Sequence, residues 1–388
     1  MYEELKKTAF DRIGQYEKDA FAVNDFMADN PEVSGREIQS SAKIAELLKQ
    51  NGFSITKPYV GLDTAFRAEH GTARYGRKVA ILAEYDALPG IGHGCGHCGS
   101  GAASMLAGIA LAPVQEKLNV NIDVFGTPDE EADGAKVLMV NDGVFNGYDM
   151  AIMVHMGNKT TISPGFIAMD SYIYTFTGHP AHAAATPWEG RNALNASMLM
   201  FHAIDMLRQH IKPDARIHGI IRHGGDAPNI VPHSITAEFY IRAKERAYVN
   251  ELARLVDDCA RGAAVATQTT YEKTANARPY DNFRVNKTGE AVLADVMEEL
   301  GLKHGIKENS GSSDIGNVSY VCPAFHPTIQ NVEPDISGHT AEFAQSMKSD
   351  MTHKAIVDAA KIISLQILKI FSDDSLFEKM KADFSQPQ

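Results

Sequence analysis

Residues 83–101 read AEYDALPGIGHGCGHCGSG, and the interpretation of the whole chain starts from this stretch. It follows an apolar run, Val79–Leu82, that predicts a buried strand. Two acids, two histidines and two cysteines stand in it, and five glycines fall between Pro89 and Gly99. Glycine adds no side chain to a core and costs backbone entropy, so this density indicates a loop whose backbone approaches something small. We therefore predict a metal site here.

Size and charge narrow the classes of function. The 388 residues suffice for two domains and a sizeable core. The formal net charge of −12 argues against nucleic acid or an anionic membrane as the main partner. The first residues, MYEELKK, form no apolar signal-peptide region, and no run of about 18 apolar residues occurs, so neither a signal peptide nor a membrane span is expected. Four cysteines are too few for a disulfide scaffold, and a cytoplasmic location is expected.

Short runs rich in valine and isoleucine alternate with helical stretches in the first half of the chain. The predicted strands are Lys78–Tyr85, Val120–Phe125 and Met150–Val154. This alternation predicts an α/β fold with a largely parallel sheet covered by helices. Each strand leads into polar residues, which are in order Asp86 with Cys95, Glu130 with Glu131, and His155. Ligand sites in such sheets gather at the carboxyl ends of strands, so these residues are expected at one edge.

From about residue 170 the pattern changes to the order β-α-β-β-α-β. The predicted elements are strands 172–177, 217–222, 235–242 and 267–271, with helices 191–210 and 246–264. This order predicts a small ferredoxin-like α+β domain inserted into the first. We expect a main domain formed by residues 1–169 and 280–388, and an inserted domain formed by residues 170–279.

The cysteine and the histidine of the loop are candidate metal ligands. One glycine separates Cys95 from His97, so both side chains can face one point if the loop is extended. Thiolate and imidazole bind zinc and similar divalent ions. A structural zinc knuckle through Cys95 and Cys98 needs a second ligand pair at comparable spacing, and none occurs. A thioredoxin-like redox pair is disfavoured, because no βαβ pattern of that size frames the motif.

Further candidates follow the other strands. Adjacent side chains diverge, so one of Glu130 and Glu131 can bind metal while the other holds a water that the metal acidifies. An ordinary exposed acidic run is the alternative. His155, at a strand end, and His339, in a late loop, are weak indications when taken singly. Asp86 is a candidate to orient a ligating side chain.

Six motifs occur in a fixed order over roughly residues 60–345. They read EYDALPGIGHGCGH, GTPDEExxGAK, GHPAHAAATPWEGRNAL, NIVP, SSDIGNV and GHT. Together they resemble the M20 family of metallopeptidases and amidohydrolases. The similarity is to its cysteine-ligand subgroup, which holds aminoacylase-like and hippurate hydrolase-like enzymes, p-aminobenzoyl-glutamate hydrolase and Xaa-Arg dipeptidases.

The resemblance implies a zinc-exopeptidase-like catalytic domain with two divalent metal ions, and a lid domain through which the chain forms a homodimer. Zinc is the expected metal, with manganese, cobalt or nickel as alternatives. The implied metal ligands are Cys95, His97, Glu131, His155 and His339. Glu130 would then be the general base, and Asp86 would be the carboxylate that orients a metal-ligating side chain.

Three residues of the inserted domain complete the implied site. His182, in GHPAHA, matches the histidine that stabilises the oxyanion in a neighbouring subunit's site. Asn229 matches a substrate-contacting asparagine, and Arg242 is a candidate to bind a substrate carboxylate bidentately. The alternatives are a surface loop histidine for His182 and a solvent-facing strand arginine for Arg242.

Two positions depart from the broader family pattern. Glu84 stands where the broader family has a histidine, which the cysteine-ligand subgroup also lacks, and Cys98 stands where the subgroup usually has Asp or Asn. Cys98 receives no role from the sequence. Asp314 and Asn317 match a loop near the site, also without a role.

The expected reaction is hydrolysis of the amide bond of an N-acyl or N-aroyl amino acid, or of a dipeptide, as small-molecule substrate. The lid and the loop Ser310–Asn317 are expected to shape the pocket, and the exact substrate stays open. Two alternatives are hydrolytic deamination of a small aromatic amine at the same site and a catalytically silent binding protein of the same fold.

Overall fold

Residues 1–306 and 311–386 are described by the computed structural model. They divide into a main unit, Met1–Gly165 with Phe283–Gln388, and an insert unit, Phe166–Asn282. Ser310, the first residue of the loop expected to shape the pocket, lies outside the described residues.

The strands and helices follow the hydrophobic pattern of the sequence closely. The strands are β1 (Phe53–Thr56), β2 (Phe66–His70), β3 (Arg77–Ala83), β4 (Val120–Gly126), β5 (Met150–Ile152), β6 (His155–Gly157), β7 (Ala168–Thr177), β8 (Arg216–His223), β9 (Ser234–Ala243), β10 (Thr270–Ala275), β11 (Ala324–Phe325) and β12 (Thr328–Gln330). The α-helices are α1 (Tyr2–Asp29), α2 (Ile38–Gln50), α3 (His97–Leu111), α4 (Gln115–Leu118), α5 (Ala135–Asn141), α6 (Ala193–Leu207), α7 (Arg246–Thr267), α8 (Lys287–Glu299), α9 (Ile315–Val318), α10 (Ala341–Gln345), α11 (Asp350–Phe371) and α12 (Asp374–Phe384).

The main unit is built on a six-stranded sheet in the order β1-β2-β4-β3-β5-β11. β4, β3, β5 and β11 run parallel, while β1 and β2 pair antiparallel at one edge. The interior of β3 is buried on both faces, as its continuous apolar run requires. The predicted fold class, a largely parallel sheet covered by helices, is confirmed.

Helix α3 lies in the centre of the main unit between α1 and α11, and every residue in it is buried. Its small residues permit this packing: a Cβ at Gly101 would overlap the carbonyl oxygen of Glu84. The stretch His97–Leu118 is long and apolar enough to cross a membrane by composition alone. However, 94% of its apolar 18-residue window is buried inside the protein, so this apolar surface already packs in the core.

The insert unit is a four-stranded antiparallel sheet in the order β10-β7-β9-β8, with α6 and α7 packed on its core residues. The order of elements is the predicted β-α-β-β-α-β, so the inserted α+β fold is confirmed. The strand predicted at 267–271 is displaced. Helix α7 continues through the alanine-rich end to Thr267, and Gln268 turns the chain at a φ of 57° before β10 begins.

Candidate metal centre

The carboxyl ends of β3, β4 and β5 bring the predicted ligands together. Parallel strands end at the same edge of a sheet, so the residues that follow them meet. Ligand atoms within 4.8 Å of one another form two groups of three that share Cys95. One group is Cys95, His97 and His155, and the other is Cys95, Glu131 and His339.

Backbone geometry explains how the cysteine loop and the late histidine loop meet. Gly96 has a φ of 92°, and a Cβ there would lie 2.7 Å from Met156 Cβ, so only glycine fits between Cys95 and His97. The N–H of His339 donates to the carbonyl oxygen of Gly94 over 2.8 Å, and His339 itself has a φ of 63°. This bond holds the late loop beside the cysteine, with His339 Nε2 3.5 Å from Glu131 Oε1.

Asp86 holds the buried ring of His97. His97 Nδ1 lies 2.8 Å from Asp86 Oδ1 and 3.1 Å from the Asp86 carbonyl oxygen, so Nδ1 carries the proton and Nε2 points away. Asp86 also accepts hydrogen bonds from Ser34 Oγ and from the Glu131 N–H. Burial alone would raise the pKa of Asp86, but the His97 ring and these hydrogen bonds hold that pKa below its ordinary value. Asp86 therefore has the contacts of an acid that orients a ligand.

His155 presents the same nitrogen. Its Nδ1 lies 2.6 Å from the carbonyl oxygen of Met156, which leaves Nε2 facing the Cys95 sulfur at 3.5 Å. The ring of His326 stacks on it at 5.3 Å. Sequence reasoning missed His326, although the signal was available, because it directly follows the apolar strand β11 much as His155 follows β5.

The turn that carries the two adjacent glutamates, Glu130 and Glu131, is tightly held. Asp129 adopts a φ of 60°, and its N–H donates to Glu37 Oε1 over 2.9 Å. The carboxylates of Glu130 and Glu131 both converge on His97, with the three ligand atoms within 4.8 Å of one another; Glu131 also joins Cys95 and His339, and Glu130 also joins Glu84 and Asp314. Burial, together with the charges of Glu131 and Glu84, raises the pKa of Glu130 well above its ordinary value.

A second cluster of charges lies directly behind the ligands. Lys136 is fully buried, and its Nζ lies 2.7 Å from Glu84 Oε1 and 2.6 Å from Asp314 Oδ1. Sequence reasoning assigned no role to Lys136 or Asp314. A lysine inside the apolar run AKVLMV of α5 is the signal that was available, since a buried lysine requires a charged partner.

Cys98 belongs to the core and not to the ligand set. Its side chain is fully buried in the hydrophobic core of the main unit, and burial raises the pKa of its thiol to about 12. Among the described residues it joins none of the groups of converging ligand atoms. Cys98 therefore packs in α3 as a small apolar residue.

The insert unit holds the other three predicted site residues, and it brings two of them together. The segment of His182 bridges that of Ile230 in antiparallel fashion, and Ala183 N–H donates to the Asn229 carbonyl oxygen over 3.0 Å. Arg242 lies near the far end of β9, which begins at Ser234. Eight residues of extended strand span roughly 26 Å, which separates Arg242 from Ser234, the end of β9 that is nearer in sequence to Asn229.

Two properties of the candidate ligands around Cys95 fit the binding of divalent metal ions. The buried atoms His97 Nε2 and Glu131 Oε1 have no hydrogen-bond partner among the described residues, as expected for atoms that bind a metal. In the part of the chain that the structure describes, negative charge is also in excess, with five carboxylates around one ammonium group: Glu84, Asp86, Glu130, Glu131, Asp314 and Lys136. Thiolate, imidazole and carboxylate together suit zinc and neighbouring transition metals.

Comparison with known proteins supplies relatives along the whole chain. A family model described as the peptidase dimerisation domain of M20 enzymes matches residues 165–267. A Xaa-Arg dipeptidase from Mus musculus is 31% identical, with 98% of this chain and 92% of the relative aligned. One of the p-aminobenzoyl-glutamate hydrolase subunits of Escherichia coli (strain K12) is 26% identical over 94% of this chain and 91% of the relative.

A solved structure shares the fold. It is a Bacillus subtilis protein described as a dinuclear metal-binding peptidase of the M20 family, and it superposes with a TM-score of 0.71. The alignment covers 92% of this chain and 99% of that one at 17% sequence identity.

Proposed function

The chain belongs to the M20 family of metallopeptidases and amidohydrolases, and we propose that it hydrolyses the amide bond of an N-acyl or N-aroyl amino acid, or of a dipeptide. It is accordingly a metal-dependent hydrolase of C–N bonds. The observation that carries the proposal is the convergence of thiol, imidazole and carboxylate ligand atoms around Cys95, with Glu130 beside them.

The proposed metal ligands are Cys95, His97, Glu131, His155 and His339. Bound divalent cations, with zinc proposed and manganese, cobalt or nickel as alternatives, supply Lewis acidity and acidify a water molecule. His97 and His155 each present Nε2, because the proton on Nδ1 is held by Asp86 and by the Met156 carbonyl oxygen respectively. The protein thus fixes both rings before any ligand arrives.

Glu130 is the proposed general base. Its carboxylate takes a proton from the attacking water and then delivers it to the leaving nitrogen. The raised pKa of this buried group favours the role, because a carboxylate of higher pKa is the stronger base. Ala135 starts helix α5 shortly after it and β4 ends shortly before it, so the turn that carries Glu130 is anchored on both sides by regular structure.

His182 is the proposed oxyanion stabiliser. The N–H groups of Ala184 and Ala185 both donate to His182 Nδ1, over 3.2 and 3.1 Å. The ring proton is therefore on Nε2, which can donate to a developing negative charge. Asn229, on the paired segment, is the proposed substrate contact beside it.

A homodimer through the insert unit is part of the proposal. β8 is an edge strand of its sheet and carries Ile220, which is 61% exposed, while Met206 nearby in sequence is 74% exposed. An exposed strand edge with apolar side chains pairs readily with a second copy. The position of Arg242, eight residues along β9 from the end nearer in sequence to Asn229, supports a site to which two subunits supply Arg242 and the His182–Asn229 pair.

Arg242 supports a substrate with a free carboxylate. The side chain is half-buried, and burial lowers the pKa of its guanidinium. A guanidinium that is partly out of water binds a carboxylate bidentately more strongly than an exposed one. The proposed substrates are therefore amides whose leaving amine is an amino acid.

The proposal is tested by a release assay on the purified protein with zinc, manganese, cobalt or nickel added singly to chelator-treated enzyme. The panel contains N-acyl amino acids, hippurate, p-aminobenzoyl-glutamate and dipeptides with a C-terminal arginine. Release of a free amino acid that depends on added metal is expected. Ammonia release from an aromatic amine without amide cleavage would favour the deaminase, and ligand binding by metal-free protein without turnover would favour a silent binding protein.

A further inference from the structure

Lys136 is a buried cation at the candidate centre that the proposed chemistry leaves without a role. It lies in the first turn of α5, where its N–H donates to Asp314 Oδ2 over 2.9 Å. Its Nζ donates to the other oxygen of the same carboxylate over 2.6 Å and lies 2.7 Å from Glu84 Oε1. All three side chains are fully buried.

The pocket that Lys136 occupies has the composition of a cation site. Carboxylate oxygens of Glu84, Glu130 and Asp314 lie within 4.8 Å of one another. Three converging carboxylates are the ligand set that hard divalent cations select. The other oxygen of Glu84 lies 3.4 Å from His97 Nε2, so this pocket shares a wall with the proposed dinuclear centre.

The neighbouring carboxylates keep the buried ammonium group of Lys136 protonated. Burial would lower the pKa of Lys136, but Asp314 and Glu84 keep it above its ordinary value. Glu84 faces this ammonium group as a buried carboxylate, with its Oε1 2.7 Å from Lys136 Nζ. Removing one member of such a buried pair leaves a desolvated charge without compensation, which is strongly unfavourable.

We propose that Lys136 is a positioning residue that serves as a fixed internal cation: it fills the Glu84–Glu130–Asp314 pocket, excludes a metal ion from it, and thereby keeps Glu130 available to the dinuclear centre. The proposal rests on the proposed function in one respect, the presence of that centre. A third metal ion in this pocket could dissociate and would depend on the metal concentration. The charge of a lysine cannot dissociate in this way, because it is covalently attached to α5.

The proposal requires that a divalent ion takes the place of the ammonium group when the charge is removed. K136M removes the charge and keeps an unbranched side chain that is one atom shorter. Chelator-treated protein is titrated with Mn²⁺ alone, and bound ions per chain are counted by electron paramagnetic resonance. We expect two ions in the wild type, three in K136M, and two again in K136M/E84Q, in which the third site has lost a ligand. K136R, which keeps the charge, is the matched control and is expected to bind two.

Each outcome decides one question. If the wild type and folded K136M bind two ions each with equal affinity, the internal-cation proposal is overturned while the proposed function stands. If the wild type binds neither Mn²⁺ nor, in a parallel titration, Zn²⁺, the proposed function fails instead. If K136M is unfolded without metal, Mn²⁺ must restore its melting transition; failure to restore it overturns the proposal.

Discussion

His97 of the main unit and His182 of the insert unit are both proposed to take part in the reaction, yet different contacts fix their rings. His97 is fully buried, and its ring is held by Asp86, which in turn accepts hydrogen bonds from Ser34 and Glu131 on other segments. His182 is outside the core, and its ring accepts hydrogen bonds only from its own loop among those described. The first histidine is positioned by tertiary structure and the second by its own short loop.

The same contrast extends to whole surfaces of the two units. The main-unit edge pairs its charges internally, as Lys136 with Glu84 shows. The insert unit instead leaves the β8 edge unpaired among the described strands and exposes Ile220 on it. All of the proposed metal ligands therefore belong to the main unit, while the insert unit presents surfaces that a second subunit would complete in the proposed dimer. Substitutions in the main unit should therefore change metal binding and catalysis, while substitutions in the insert unit should change dimerisation.

Glu130→Gln should produce the largest effect, because an amide cannot take the proton of the attacking water. We expect kcat/KM to fall by about 10²–10⁴-fold, with metal content and oligomeric state unchanged. Steady-state kinetics on the best substrate of the panel, with elemental analysis of the same sample, checks this. Near-normal turnover would exclude Glu130 as the base.

Cys95→Ala and Cys98→Ala form a matched pair three residues apart. Cys95→Ala should lose at least one bound ion after gel filtration, because the thiol belongs to both groups of ligand atoms. Cys98→Ala should keep the metal and lose about 1 kcal/mol of unfolding free energy through a small core cavity. Elemental analysis and urea unfolding measure the two quantities. Metal loss in Cys98→Ala alone would reverse the assignment.

Ile220→Lys tests the insert unit alone. A charge on the exposed β8 edge should weaken dimerisation by at least about tenfold while metal content stays normal, because charged side chains protect strand edges from pairing. Analytical ultracentrifugation across a concentration series reads the dissociation constant. Val265→Lys is the control, since Val265 is 75% exposed on α7 of the same unit, away from the edge strand. Equal behaviour of the two variants would remove β8 from the interface.

Glu37→Gln should give the smallest effect, and it concerns the turn of Glu130. Burial raises the pKa of Glu37 to about 7, above the ordinary value of about 4.5. Between these two pH values Glu37 is therefore protonated in the folded protein and ionised in the unfolded chain. The unfolding free energy of the wild type should therefore fall as the pH rises from about 4.5 to 7, by on the order of 1–3 kcal/mol. A glutamine can keep hydrogen bonds at the positions that contact the Gly35 and Asp129 N–H groups and Thr64, and it does not titrate.

The difference between wild type and Glu37→Gln in urea unfolding at pH 5 and pH 8 isolates this one group. We expect the variant to lose less stability than the wild type over that interval. A parallel loss in both proteins would show that other groups set the pH dependence.

The order of elements and the kinds of ligand can be read directly from the amino-acid sequence. The fold class follows from local periodicity: β3 to β5 are short apolar runs, and the insert follows the β-α-β-β-α-β order. Edge strands β1 and β2 and helix α12 were missed, because short, half-polar segments carry little periodic signal. Candidate ligands could be proposed because Cys95 and Glu131 stand in loops that follow strands and His97 begins helix α3. Their roles remain predictions that the metal and kinetic measurements decide.

The surroundings of those ligands depend instead on the folded chain. Which nitrogen of His97 faces the centre depends on Asp86, and the charge of Lys136 depends on Asp314, 178 residues away along the chain. The same holds for Cys98, which a sequence motif pairs with Cys95 but which the packing of α3 buries in the core. Hydrophobic periodicity is a local property and can be read along the chain, whereas compensation of buried charge joins distant segments and exists only once the chain has folded.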